Sequence, residues 1–377
     1  MASGKGKPTQ ILHLLPDACH AGSRRTALLL RELGGSYRHA IVAARPEERG
    51  WLAQATGAGP KFLADFPPLG GWPAPGRLQK IARAMLPYDV VVTHGYPAMN
   101  AVMARTMFSE GLRPPPLIHH EWEDDAGSGA LTRRKRDLYR QLALGRSAGL
   151  VVPDEALEAR ALHAWQQPLG RVKHLPDAVE VRAFAKPPKP DSLPGIIKRQ
   201  GELWIGVADA DDREHGLAAA AELIRPLPEN CVLVWAAPGD PRREVREAAD
   251  AAGVIDRMYP LAGATELRKY IGLFDIALVP PGTEWPREAV LAAIASGAPV
   301  VAEESSDLVE LLAEENRTLL QQPLPDVLHL LATRAEERRK VGEANRRRAL
   351  AEFDQDKLLA SYRRLFDSAV DQTQRTR

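Results

Sequence analysis

Glu284 is the acidic side chain best placed in this sequence to do chemistry. It follows a short β-branched apolar run at residues 276–279 and the breakers Pro280, Pro281 and Gly282, and it precedes a small-residue helical segment at 289–295. A carboxylate at a strand's carboxyl end and a helix's amino end stands where open parallel sheets hold their ligands. Fixed there, it can present charge to a reacting centre. The plainer reading is an ordinary βαβ unit with a solvated glutamate. A second dense run is His119, His120, Glu121, Trp122, Glu123, Asp124 and Asp125, at the exit of another apolar strand. Adjacent histidines on a strand point to opposite faces, so at most one lines a given site easily. No second ligand cluster at a defined spacing supports a metal, and none is expected; a solvated acidic loop is the plain alternative. His94 closes a buried strand at residues 89–94. Arg133, Arg134, Lys135 and Arg136 open a helix as a charge run, ordinarily a solvated face.

The elements that must position these groups alternate between strand and helix. In the first half the spacing predicts strands at 11–15, 40–43, 89–94, 116–120, 149–153 and 172–176, with helices at 23–33, 98–108 and from 133 to 144. Residues 51–76 are rich in Pro and Gly and read as irregular with one short helix. The run KPPKPDSLP at 186–194 reads as a linker. Beyond it, strands are expected at 203–207, 232–235, 276–279 and 299–302. Helices are expected at 217–224, 242–251, 266–272, 289–295, 307–312, 324–333 and 336–352. A last helix at 357–370 carries Leu358, Leu359, Tyr362, Leu365 and Phe366 on one face. The expected fold is therefore α/β with two Rossmann-like domains, residues 1–183 and 200–355, joined by 184–199 and followed by a helix at 356–377.

At 377 residues the chain exceeds one ordinary core. A formal net charge of +1 gives no electrostatic case for nucleic acid. Cys19 and Cys231 lack metal-like spacing and read as reduced thiols of a cytosolic protein. No apolar run is long enough for a secretory signal or a membrane span, so the expected location is cytoplasmic, with any membrane contact peripheral.

The run LAAIASGAPVV at 291–301 resembles the Leu-Glu-Ala-Met-Ala-x-Gly-x-Pro-Val-Val segment of the retaining group-1 (family 4) glycosyltransferases, which have the GT-B fold. Glu284 falls on the first of that family's two glutamates, and Ala292 falls on the second. The resemblance covers the chain nearly end to end. It implies two Rossmann-like domains facing each other across a cleft, with the last helix crossing back to the first domain. It also implies a nucleotide-sugar donor, a glycan or lipid-linked acceptor of the cell envelope or a polysaccharide, and no cofactor or metal. By the same resemblance, Glu284 and His119 or His120 would contact the transferred sugar. Gly22, Arg213 and His215 would serve the donor diphosphate, and Glu288, one turn before Ala292, would replace the lost ribose contact. His94 and Glu121 would face the acceptor or line the cleft. Arg133, Arg134, Lys135 and Arg136 would meet anionic lipid. His215 stands where Lys is expected, and three further departures leave a degenerate donor motif. Val207 stands where Arg is expected, Pro286 removes a backbone donor, and Ala292 cannot bind ribose hydroxyls. A glutamate restored at 292 is expected to tighten donor binding. Two functions follow: a retaining glycosyltransferase, or a catalytically inactive GT-B-fold binding or scaffold protein.

Overall fold

The computed structural model describes residues 8–15, 20–43, 49–50, 52–53, 60–122, 127–208 and 213–376. Cys19, Glu123, Asp124, Asp125 and the aspartates at 209–212 lie outside them. The chain forms two compact units, Met1–Asp177 with Lys357–Arg377, and Ala178–Asp356. No helix among the described residues is long and apolar enough to cross a membrane.

The first unit is built on seven parallel strands among the described residues. They are β1 (Thr9–Leu15), β2 (Tyr37–Ala43), β3 (Lys61–Phe62), β4 (Val90–His94), β5 (Leu117–His120), β6 (Gly149–Val152) and β7 (Val172–His174). Their order is β3-β2-β1-β4-β5-β6-β7, reversing at β1 and β4 as doubly wound sheets do. One sheet face, with Leu12, Leu14, Val91, Leu117 and Leu150, packs into an apolar core beside α2 (Pro75–Met85) and α3 (Met99–Met107). α2 lies in and beyond the stretch expected to be irregular. Pro75 opens it, and Leu78, Ile81, Ala82 and Met85 form its buried stripe. The flanking prolines and glycines mask that stripe in the sequence. The opposite sheet face lies against α1 (His20–Leu33) and the last helix, α13 (Gln355–Thr376), whose Leu365 approaches Gly149. α4 (Ala130–Ala143) and α5 (Glu155–His163) complete the unit.

The second unit repeats the plan with β8 (Leu203–Ala208), β9 (Cys231–Ala236), β10 (Met258–Leu261), β11 (Ile276–Leu278) and β12 (Val300–Val301), ordered β10-β9-β8-β11-β12 and parallel. Its helices are α6 (Arg213–Ile224), α7 (Arg242–Ala251), α8 (Arg287–Ser296), α9 (Ser306–Leu311), α10 (Glu314–Leu320), α11 (Leu324–Thr333) and α12 (Ala335–Glu352). α8 ends on Gly297 in the left-handed conformation, φ 85, which glycine adopts without strain. The helix expected at 266–272 is instead two 3-10 turns, Leu267–Lys269 and Ile271–Leu273. β10 and α10 are additions to the sequence reading; Pro260 inside β10 hides it, since proline weakens a strand pattern. Segment 186–194 lies within this unit, with Leu193 buried in its core. Two buried asparagines finish the edge at β12. Asn316 accepts from the Val300 N–H at 2.8 Å and donates to its carbonyl at 2.7 Å, and Asn345 Nδ2 donates to Asn316 Oδ1 at 2.7 Å. A side-chain amide thus occupies the place of a further strand.

Candidate functional site

In the second unit, chemistry concentrates at the carboxyl edge of β11. Pro280 accepts a backbone hydrogen bond from Thr283 at 3.2 Å, with Pro281 next and Gly282 at φ 74 third in the turn. Proline followed by a left-handed glycine is the type II pattern. The Thr283 hydroxyl also donates to the Pro280 carbonyl at 2.8 Å. This doubly tied turn delivers Glu284 to a cavity of about 490 Å3 that Glu303, Glu304 and Asp307 also line. Arg287, at the start of α8, pairs with Glu310 of α9 at 3.2 Å. Ser305 caps α9 by accepting from Leu308 N–H at 3.4 Å.

Gly216, in the first turn of α6, explains how closely that helix approaches the turn. A Cβ there would stand 2.6 Å from Thr283 Cγ2 and 3.1 Å from the Trp235 ring. The side chain is thus excluded where α6 meets the loop carrying Glu284. Glu284 and Glu288 are exposed. Arg213 begins α6 with its side chain outside the described residues, and His215 is exposed on the same turn, because the helix starts four residues before the expected 217. Val207 is wholly buried in β8 and Ala292 wholly buried in α8. Neither position faces solvent where a donor could reach it.

The first unit carries a different assembly. Register places His39, His13, His94 and His120 on one face of β2, β1, β4 and β5, in a row beneath α1 and α13. His13 Nε2 and His39 Nδ1 are 2.9 Å apart, His94 Nε2 and Thr26 Oγ1 3.4 Å, and His120 Nε2 and the Tyr362 hydroxyl 2.9 Å. Burial holds these imidazoles neutral: His39 falls to about 4 and His94 to about 3, while His13 and His120 lie well below 6.5. The His94 and Trp122 rings stack with an interplanar angle of 4°. Arg25 of α1 crosses over Trp122, donates to Tyr362 at 3.2 Å and to the Leu175 and Pro176 carbonyls, and pairs with Asp177 at 3.0 Å. A buried arginine on an otherwise apolar helix face is a sequence sign of such a network, because the charge requires partners. The sequence reading passed over Arg25, Thr26, His13 and Tyr362 in this role.

His119 points to the other sheet face, as adjacent strand residues must, and its Nδ1 stands 2.8 Å from Thr93 Oγ1. Its Nε2 is 3.7 Å from Glu121, which accepts from Arg140 Nε at 2.7 Å. Burial alone would raise the Glu121 carboxyl, but His119 and Arg140 carry it below its ordinary value. His119, His120 and Glu121 are therefore enclosed within the unit rather than presented at a surface. Gly22 lies in the first turn of α1, which begins at His20 rather than at Ser23. Among the described residues no group of three His, Cys, Asp or Glu is placed to hold a metal ion.

No protein-family model matches the chain, and no curated protein matches it in sequence. Solved structures do resemble it. The Anabaena HepE protein in complex with UDP and glucose superposes with a TM-score of 0.62 at 14% identity, covering 96% of this chain and 100% of that one. A Rickettsia africae glycosyltransferase gives 0.67 at 12% identity, covering 97% and 99%. A UDP-N-acetylglucosamine 2-epimerase gives 0.54 at 14% identity, covering 90% and 91%. The fold is GT-B-like, with two Rossmann-like units. Identity at this level establishes the fold alone, and one fold hosts several activities.

Proposed function

We propose that the chain is a glycosyltransferase that moves a sugar from a nucleotide-sugar donor to a cell-envelope or polysaccharide acceptor, with retention and without a metal. The observation that carries this reading is Glu284, held by a type II turn beside the amino end of α8 and lining a sugar-sized cavity. The cavity wall supports a division of labour. Glu284, Glu303, Glu304 and Asp307 suit sugar hydroxyls and disfavour phosphate, while Arg287 on the same wall is paired with Glu310. The diphosphate is accordingly assigned to the α6 side of the site, where Arg213 and His215 begin the helix. Glu288 is assigned to the donor as well.

Glu284→Gln is expected to lower turnover about a hundredfold or more with the unfolding midpoint unchanged, because it removes charge beside the reacting centre. The assay follows release of free nucleotide together with the glycosylated product. An unaltered rate in this variant would remove Glu284 from the mechanism. Buried Val207 and Ala292 favour the second reading, a GT-B-fold protein that binds without transferring. Sugar nucleotides that neither raise the melting temperature nor turn over would select it.

Peripheral membrane contact is assigned to α4. Leu131, Arg134, Lys135, Leu138 and Leu142 share one exposed stripe of that helix. Arg136 turns inward, its guanidinium 4.6 Å from the centre of the Tyr96 ring. Of the four basic residues, Arg134 and Lys135 are therefore the ones that face lipid. Sedimentation with phosphatidylglycerol vesicles should weaken with salt and on Arg134→Glu with Lys135→Glu; salt-independent sedimentation would dismiss the contact.

A further inference from the structure

The amino-terminal edge of the seven-stranded sheet holds a cavity of about 730 Å3, large enough for a small organic ligand. It opens among Gln10 near the start of β1, Arg38 and His39 of β2, Lys61 of β3, Arg31 of α1 and Tyr88 before β4. His94 and His120 close the opposite, carboxyl edge of the same sheet, so this cavity is separate from every group considered above except His39.

Its chemistry is one-sided. Arg31, Arg38 and Lys61 line it, and among the described residues no carboxylate does. Glu32 accepts from Arg31 Nε at 2.7 Å and Asp89 accepts from the Gln10 N–H at 2.8 Å, but neither lines the cavity. Arg38 and Lys61 project to the same sheet face, since Lys61 pairs with Ala40, two residues beyond Arg38. Both are exposed. His39 contributes a neutral wall: one ring nitrogen meets His13, and the other, Nε2, is buried with no hydrogen-bond partner among the described residues. Half-buried Tyr88 adds an aromatic surface. Two like charges on neighbouring strands, without a neutralising carboxylate among the described residues, favour a multivalent anion over a monovalent one.

We propose that this cavity binds a small phosphorylated molecule, with Arg38 and Lys61 on the phosphoryl oxygens and Tyr88 against the body of the ligand. The proposal stands apart from glycosyl transfer and survives its failure. Calorimetric titration of the full chain with inorganic phosphate and inorganic pyrophosphate tests it. Saturable binding is expected, weakened about tenfold or more in the Arg38→Ala, Lys61→Ala double variant, because charge-assisted contacts are lost. Both side chains are exposed, so the unliganded unfolding midpoint should hold. Glu284→Gln should leave the titration unchanged. Equal binding by the double variant would overturn the proposal. So would loss of binding in Glu284→Gln, which would place the anion in the second unit, or no binding at about 10 mM probe.

Discussion

At the scale of residues, the molecule separates two kinds of polar group. Glu284 is held in water by a rigid turn, while the histidine row of the first unit is held away from it. Histidines kept neutral by burial make stability depend on acid. His39 and His94 titrate in the folded chain at about 4 and about 3, against an ordinary value of 6.5. Above 6.5 the imidazoles are neutral in both states, and stability is at its full value. As pH falls below 6.5 the unfolded chain takes up protons that the folded chain refuses. Stability then declines by up to about 1.4 kcal/mol per pH unit for each such histidine. Denaturation midpoints of the first unit should therefore fall steeply between about pH 6.5 and 5, where carboxylates still remain ionised. His94→Phe should flatten that slope; a pH-independent midpoint in the unmodified chain would sink the idea.

At the scale of elements, α8 decides what the degenerate motif can become. Ala292 sits in a stretch of α8, Ala289 to Ala295, that is buried on every side, and has no exposure itself. This burial argues against the expectation that Ala292→Glu tightens donor binding. An unpaired carboxylate there is expected to cost about 3–5 kcal/mol, read as a lower denaturation midpoint. Stability equal to the unmodified protein, together with tighter donor binding, would show that α8 can turn that position outward. α8 is legible in the sequence because Pro286, the small residues and Gly297 are local signals. The row of histidines is not, because it joins four strands that only sheet register brings side by side.

At the scale of the whole molecule, the last helix belongs to the first unit although 179 residues of the second, from Ala178 to Asp356, separate it in sequence. Tyr362 and Phe366 are wholly buried there, Phe366 edge-on to Tyr37 at 5.4 Å between ring centres. Tyr37 donates to Asp367 at 3.0 Å, and Tyr362 joins Arg25 and His120. Phe366→Ala should therefore cost about 3–5 kcal/mol in the first unit, since it opens a cavity under the sheet. Unfolding of that unit can be followed by denaturant titration, with a cost below about 1 kcal/mol counting against the packing described.

The sequence by itself determined the α/β class, most of the strands, the turn at Pro280–Gly282 and the position of Glu284 at a strand's end. Each of these follows from local periodicity or from the backbone limits of proline and glycine. Tertiary structure alone decided which polar residues are sealed and which are offered to solvent. His119, His120 and Glu121 look available in a polar-rich run. They are enclosed because β4 and β6 flank β5 in the sheet, while α13 covers His120 and Arg140 draws in Glu121. Arg38 and Lys61 look like ordinary surface charge and become neighbours only when β2 and β3 pair. Burial and proximity depend on contacts distant in sequence, and no local pattern carries them.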